Sequence, residues 1–302
     1  MATPSTPDPS RPAIAVLGTG RMGAPIAHNL IAGGFEVSVW DRSTDRAAAL
    51  VDAGARLASS PAEAAEGAAV VLTMLTDGET VAAAMLGRQG AVASLPARSA
   101  WIQMATVGQE WTERLATVAR THQLEFVDAP VSGSDGPARE GKLIVLASGP
   151  EGIRPLLEPI FDAIGQKTLW LGPAGYGTRL KLVLNNWLVS QVEAVAETIA
   201  LTQALGLDPR LLIETVGDGP LASPYAMAKA QAMIDGEFAP GFALRLAYKD
   251  IGLALDAARE HDLKLPITEA LALRWQQAIA DGHADEDLAA VISVASPPAG
   301  AA

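Results

Sequence analysis

From Ala13 to about Leu171 the chain alternates short apolar runs with alanine-rich stretches whose apolar positions recur every three or four residues. The runs are AIAVLG (13–18), FEVSVW (35–40), AVVLTML (69–75), AWIQM (100–104), LEFVDA (124–129), LIVLAS (143–148) and KTLWLG (167–172). Several are apolar at consecutive positions, as strands of a parallel sheet covered by helices on both faces must be. With helices predicted at 21–33, 43–53, 108–120 and 150–163, the pattern is that of a doubly wound, mostly parallel α/β domain of the Rossmann type. After Gly177 the texture changes. TRLKLVLNNWLVSQVEAVAETIALTQALG (178–206) keeps helical spacing throughout and ends at Gly206, a residue suited to a helix C-terminus. Further helices are predicted near 209–217, 223–235, 243–261 and 265–281, punctuated by Pro224, Pro240 and Pro266, with no strand after Leu171. The layout expected is a disordered tail at 1–11, a dinucleotide-binding domain at 12–174, an all-helical substrate and dimerisation domain at 175–294 and a second tail at 295–302.

Composition narrows the range of partners. The 302 residues carry 22 Lys and Arg against 34 Asp and Glu, and a net charge of −12 opposes attraction to nucleic acid or to an anionic membrane. Without cysteine there is no disulfide, thiolate metal site or cysteine nucleophile, which suits a reducing cytoplasm. The opening MATPSTPDPS has no apolar core, and no later run approaches the roughly 20 residues that span a bilayer, so a soluble, unprocessed, cytoplasmic protein is expected.

Candidate chemistry begins at Gly18, Gly20 and Gly23, which stand in G-x-G-x-x-G spacing between the first strand and the first helix, with Arg21 and Met22 between the last two. Gly18 permits a tight turn, Gly20 lets a pyrophosphate approach the backbone, and Gly23 allows helix to pack on strand. Asp41 ends the second strand, where it can accept hydrogen bonds from an adenine ribose and favours NAD; Arg42, Ser43 and Arg46 just beyond offer charge and donors to a 2′-phosphate and favour NADP. The arginine directly after the strand tips the balance to NADP, with NAD as the alternative.

Lys181 poses a separate question, because an amine among leucines is costly unless something pairs with it. On a helix, Gly177, Lys181 and Asn185 share one face. Lys181 could simply extend its amine to water. Two further segments, VDAPVSGSDGPAREGKLIVLASG (127–149) and LAYKDIGLAL (246–255), weigh against that reading. Together with the glycine triad and GYGTRLKLVLN, they resemble the β-hydroxyacid dehydrogenases, the family of 3-hydroxyisobutyrate dehydrogenases and of tartronate and glyoxylate–succinic semialdehyde reductases, over about residues 13–260.

The resemblance implies that Lys181 is the catalytic acid and base, that Ser132 and Gly133 hold a substrate carboxylate, and that Asn185 binds substrate and steadies the reacting oxygen. It further implies that Lys249 helps close the site beside nicotinamide and substrate, that Asp250 ties its helix down, and that Met74, Leu75 and Thr106 contact cofactor. A lysine base also implies that oxidation is faster at alkaline pH. The chain departs from the family at Ser134, where a second glycine is usual, and at Gln103, Met104, Ala105 and Thr106, where Asp-Met-Ser-Thr is common. These departures put the substrate in question rather than the chemistry. An imine reductase on the same fold and a noncatalytic dinucleotide-binding scaffold are the alternatives. His28, His122, His261 and His283 have no spacing of a catalytic pair or metal cluster. The resemblance further implies a homodimer or homotetramer; the long helix, apolar on more than one face, calls for cover by other helices of the same subunit or of a neighbour.

Overall fold

The computed structural model describes residues 8, 10–217 and 219–295. Residues 1–7, 9 and 296–302, which carry most of the two expected tails, lie outside the described residues. Within the segment expected as the first tail, the Asp8 N–H donates to Gly34 O at 3.0 Å, and the Arg11 guanidinium sits 4.7 Å from the centre of the Phe35 ring. The chain divides into two compact units between Lys181 and Leu182.

The first unit follows β1 (Ile14–Leu17), α1 (Gly23–Ala32), β2 (Val37–Trp40), α2 (Thr44–Ala48), β3 (Arg56–Leu57), α3 (Pro61–Ala65), β4 (Val70–Thr73), α4 (Gly78–Leu86), β5 (Ala100–Gln103), α5 (Gln109–Thr121), β6 (Glu125–Asp128), β7 (Val131–Ser132), α6 (Asp135–Arg139), β8 (Leu143–Ala147), α7 (Arg154–Ile164) and β9 (Gly165–Trp170). Six strands make one wholly parallel sheet in the order β3-β2-β1-β4-β5-β6, the doubly wound order with its reversal beside β1. Along β1, Ile14 and Val16 join the core formed with α1 and α7, whereas Ala15 and Leu17 join the one formed with α3, α4 and α5. Burial on both faces is why the strand reads as a continuous apolar run.

All seven predicted runs form strands, but not in one sheet. After β6 the chain turns through Ala129 and Pro130, and the two-residue β7 runs back antiparallel to β8, which pairs in parallel with β9. The link between the sheets is an antiparallel bridge: Asp128 N–H donates to Ser148 O at 2.9 Å, and Ser148 N–H to Asp128 O at 2.8 Å. The short β3 and β7 are too brief to leave a periodic signal in sequence. The helix expected at 43–53 stops at Ala48 and continues as turns.

α8 (Tyr176–Ala204) starts in the first unit and runs on into the second, where it is followed by α9 (Arg210–Val216), α10 (Pro224–Asp235), α11 (Leu244–Glu260) and α12 (Pro266–Ala278). Gly206 ends α8 at φ +75°, with Gly206 N–H donating to Gln203 O and Leu207 N–H to Thr202 O at 2.9 and 3.1 Å, which satisfies carbonyls that the helix leaves over. Val189, Val192, Ala196 and Ile199 pack around the fully buried Trp275, whose Nε1–H donates to Glu193 Oε2 at 2.7 Å. Arg274 pairs with the same carboxylate, so this buried acid is hydrogen-bonded and charge-matched.

The start of α8 is packed closely against the strands. A Cβ at Gly177 would stand 2.2 Å from Leu146 O and 2.9 Å from Asp128 O. Gly177→Ala should therefore cost roughly 2 kcal/mol, as overpacking of a tight contact does. Thermal unfolding should show a melting temperature lowered by several degrees, and an unchanged value would contradict this docking.

Candidate active site

Three glycines shape the loop between β1 and α1, each for a different reason. Gly18 lies at φ +100°, and a Cβ there would stand 2.4 Å from Met74 O. At Gly23 a Cβ would fall 1.9 Å from Gly18 O, so only glycine lets the helix start against the loop. Gly20 is different: a Cβ there meets nothing within 4 Å, so the backbone faces open space. α1 begins without a side-chain cap and without an acidic residue in its first turn, which leaves its positive end for an anion.

Asp41 has a structural role that the sequence does not suggest. Its Oδ2 accepts the Thr19 N–H and its Oδ1 the Ser43 N–H, both at 2.8 Å, so it braces the glycine loop from the end of β2. Each oxygen keeps a further lone pair for a ligand hydroxyl. Thr19 Oγ1 is buried and has no partner among the described residues. Met74, whose N–H donates to Leu17 O at 3.0 Å, and Leu75 border the same loop; Met22 is half-buried, while Arg21, Arg42 and Ser43 are exposed. An open, glycine-lined backbone, an uncapped helix start and an orphaned hydroxyl fit the pyrophosphate of a dinucleotide, and Asp41 and Arg42 follow the neighbouring strand β2.

Thr106 follows β5, on a loop held by Gln103. The Gln103 amide spans the Ala105 peptide, donating to Ala105 O at 2.6 Å and accepting Ala105 N–H at 3.1 Å. It also accepts from Thr73 Oγ1 at 3.1 Å, which in turn accepts from Trp101 Nε1–H at 3.0 Å. The departure at Gln103 thus forms a buried ladder that fixes the backbone leading to Thr106.

The third group surrounds a residue that sequence reading passed over. Asp128, wholly buried at the end of β6, accepts Thr178 N–H on Oδ2 at 2.7 Å and Thr178 Oγ1–H on Oδ1 at 2.8 Å. Ser148 Oγ lies 3.3 Å from Oδ2 and itself accepts the Gly177 N–H at 2.9 Å. Burial pushes the Asp128 carboxyl up to about 6, against the lowering effect of hydrogen bonds from Thr178, Ser148 and Gly175. Four residues after Asp128 stands Ser132, half-buried and paired in register with Ile144; the exposed Gly133 follows at φ +127°. Lys181 is half-buried one turn beyond Thr178 on α8.

In the second unit, Asn185 is buried and donates from Nδ2 to Asp250 Oδ2 at 2.5 Å, which ties α8 to α11 as the resemblance implied. Lys249 Nζ lies 3.1 Å from the other Asp250 oxygen. Among the described residues no group of three or more His, Cys, Asp or Glu is arranged to hold a metal, and no helix is long and apolar enough to cross a membrane.

The raised Asp128 carboxyl has a measurable effect on stability. A carboxyl that holds its proton more tightly when folded favours the fold most below its ordinary value of 3.8, and that contribution is lost as pH rises through about 6. The difference corresponds to roughly 3 kcal/mol. Relative to wild type, Asp128→Asn should gain stability by up to that amount between pH 4 and pH 7 in denaturant unfolding; a constant difference across the range would contradict the assignment.

Comparison with known proteins agrees with the fold and the motifs. Residues 13–172 match a family model described as the NAD binding domain of 6-phosphogluconate dehydrogenase, and residues 175–295 match one described as the NAD-binding domain of NADP-dependent 3-hydroxyisobutyrate dehydrogenase. The chain is 34% identical to glyoxylate/succinic semialdehyde reductase 2, chloroplastic, of Arabidopsis thaliana, over 96% of this chain and 81% of that one. A 3-hydroxyisobutyrate dehydrogenase of Mycobacterium tuberculosis, solved with L-serine, superposes with a TM-score of 0.84 at 29% identity, covering 94% of this chain and 98% of that one. The chain also spans about half of the cytokine-like nuclear factor N-PAC of Pongo abelii, at 30% identity over 94% of its own length and 51% of that protein's. With both units matched and the motifs in order, the chain belongs to the β-hydroxyacid dehydrogenase family, and its first unit is a nicotinamide dinucleotide-binding domain.

Proposed function

We propose that the chain reduces a small semialdehyde or 3-oxo acid and oxidises the matching 3-hydroxy acid, with Lys181 as the acid and base. The observation that carries this reading is that Lys181 stands on the second turn of a helix whose first turn is hydrogen-bonded to the strand end leading into Ser132 and Gly133. A scaffold that only bound a dinucleotide would not need the lysine. The relative named as a semialdehyde reductase supports the substrate class.

When bound, the dinucleotide supplies or accepts a hydride. The chain's residues manage charge and protons. The Lys181 ammonium donates a proton to the carbonyl oxygen as negative charge builds there, and its neutral amine takes the hydroxyl proton in the reverse direction. The Ser132 hydroxyl and the Gly133 N–H hold the substrate carboxylate. Asn185, four residues after Lys181, commits one amide hydrogen to Asp250 and keeps a second, with its carbonyl oxygen, for substrate. Lys249 serves substrate and nicotinamide on the motif match.

NADP is the proposed cofactor, with the exposed Arg42 and Ser43 meeting its 2′-phosphate. The same resemblance supports a homo-oligomer, and the exposed Val183, Trp187, Leu201 and Leu205 of α8 are apolar surface that a second copy could cover. The absence of cysteine supports a cytoplasmic site.

Two measurements test the reading. Lys181→Met should lower turnover of succinic semialdehyde or glyoxylate about a thousandfold while cofactor binding stays within about twofold, as loss of a transition-state interaction does; undiminished turnover would reject the lysine. Arg42→Ala should raise KM for NADP about tenfold and leave KM for NAD unchanged, the effect of losing one charge-assisted contact; equal effects on both cofactors would reject the phosphate role.

A further inference from the structure

The beginning of α8 lacks the cap its own sequence would normally provide. Helices start with four amide hydrogens that find no partner within the helix, and a Ser, Thr, Asp or Asn just before the first turn usually accepts one. Here Ala174 and Gly175 precede Tyr176, and Gly175, at φ +99°, has no side chain to offer. The first turn is capped instead from distant strands. Gly177 N–H goes to Ser148 Oγ at 2.9 Å, and Thr178 N–H goes to Asp128 Oδ2 at 2.7 Å, 29 and 50 residues away in sequence. Thr178 Oγ1 adds a bond to Asp128 Oδ1 at 2.8 Å and lies 3.1 Å from Thr112 Oγ1 on α5, itself donating to Gly108 O at 2.8 Å.

These contacts fix both translation and rotation of the helix start. A single cap bond allows a helix to pivot, whereas two bonds from one residue to one carboxylate, with a third on the preceding amide, do not. Lys181 follows Gly177 by four residues and Thr178 by three, so it stands above both on the same face. Asp128 is also joined through its backbone to Ser148, and it opens the turn that delivers Ser132 to β7. One carboxylate therefore connects the two segments of the first unit to which the proposed chemistry is assigned.

Resting on that assignment, we propose that Asp128 is a positioning residue: as a cap supplied to α8 from β6, it sets where the Lys181 amine stands relative to Ser132, and so governs the proton-transfer step rather than cofactor binding. Displacing a reacting group by about 1 Å can cost about a hundredfold in rate.

The test compares Asp128→Asn, Thr178→Val and Thr178→Ser, with Lys181→Met in parallel, by steady-state kinetics with succinic semialdehyde, fluorescence titration of reduced cofactor, and the solvent deuterium isotope effect on kcat. Asp128→Asn and Thr178→Val should each lower kcat about ten- to a hundredfold, enlarge the solvent isotope effect, and leave cofactor affinity within about twofold. Thr178→Ser, which keeps the hydroxyl, should restore kcat to within about twofold of wild type. Asp128→Asn with normal kcat and isotope effect, beside an inactive Lys181→Met, would overturn the inference and leave the functional reading standing. A loss of kcat matched by an equal loss of cofactor affinity would also overturn it, since that is what general loosening gives. Full turnover in Lys181→Met would remove the functional reading and this inference with it. If Asp128→Asn does not fold, the Thr178 pair decides, and equal kcat in Val and Ser overturns the proposal.

Discussion

A helix cannot satisfy its own first amide hydrogens, and in α8 that obligation falls on Ser148 and Asp128, side chains from the ends of the two sheets. Much of the first unit is arranged so that this can happen. The segment before the helix is glycine and alanine, Gly177 lets the backbone come close to Leu146 and Asp128, and the bridge between Asp128 and Ser148 brings both acceptors to one place. Burying a carboxylate is unfavourable, as its raised proton affinity records, and the bonds from Thr178 and Ser148 partly offset that cost.

The same unit solves a different problem at the other reversal of its chain. Around Gly18, Gly20 and Gly23 the backbone is kept bare and open, and Asp41 holds the loop to β2 through two amide bonds. The Gln103 ladder then steadies the loop carrying Thr106 beyond the adjoining strand end. Loops at the C-terminal ends of parallel strands thus form a rigid surface for a dinucleotide, as open α/β sheets do. The proposed carboxylate binding and proton transfer are assigned to elements outside that parallel sheet, to β7 and α8.

Much of this could be read in the sequence, and what could not has a common physical cause. Continuous apolar runs exposed strands such as β1 and β4, because burial on two faces leaves no alternation to confuse with a helix. Gly18, Gly23 and Gly206 were legible because each meets a local backbone need. Lys181 stood out because a charge among leucines is improbable. Asp128, by contrast, ends an ordinary strand, and nothing around it in sequence points to a helix start 50 residues later. The sole hint was negative, a long helix without a capping residue. The bracing role of Asp41 was hidden for the same reason, since its bond to Thr19 spans 22 residues. The division into two sheets turned on β7, two residues long, where pairing and not periodicity decides.

As the buried cap of the lysine-bearing helix, the Asp128 carboxyl titrates in a dry, hydrogen-bonded setting. A carbon-13 NMR titration of that carboxyl measures this without altering the chain. The midpoint expected is near pH 6. A midpoint at the ordinary value of 3.8 would contradict burial as the dominant influence on this carboxyl.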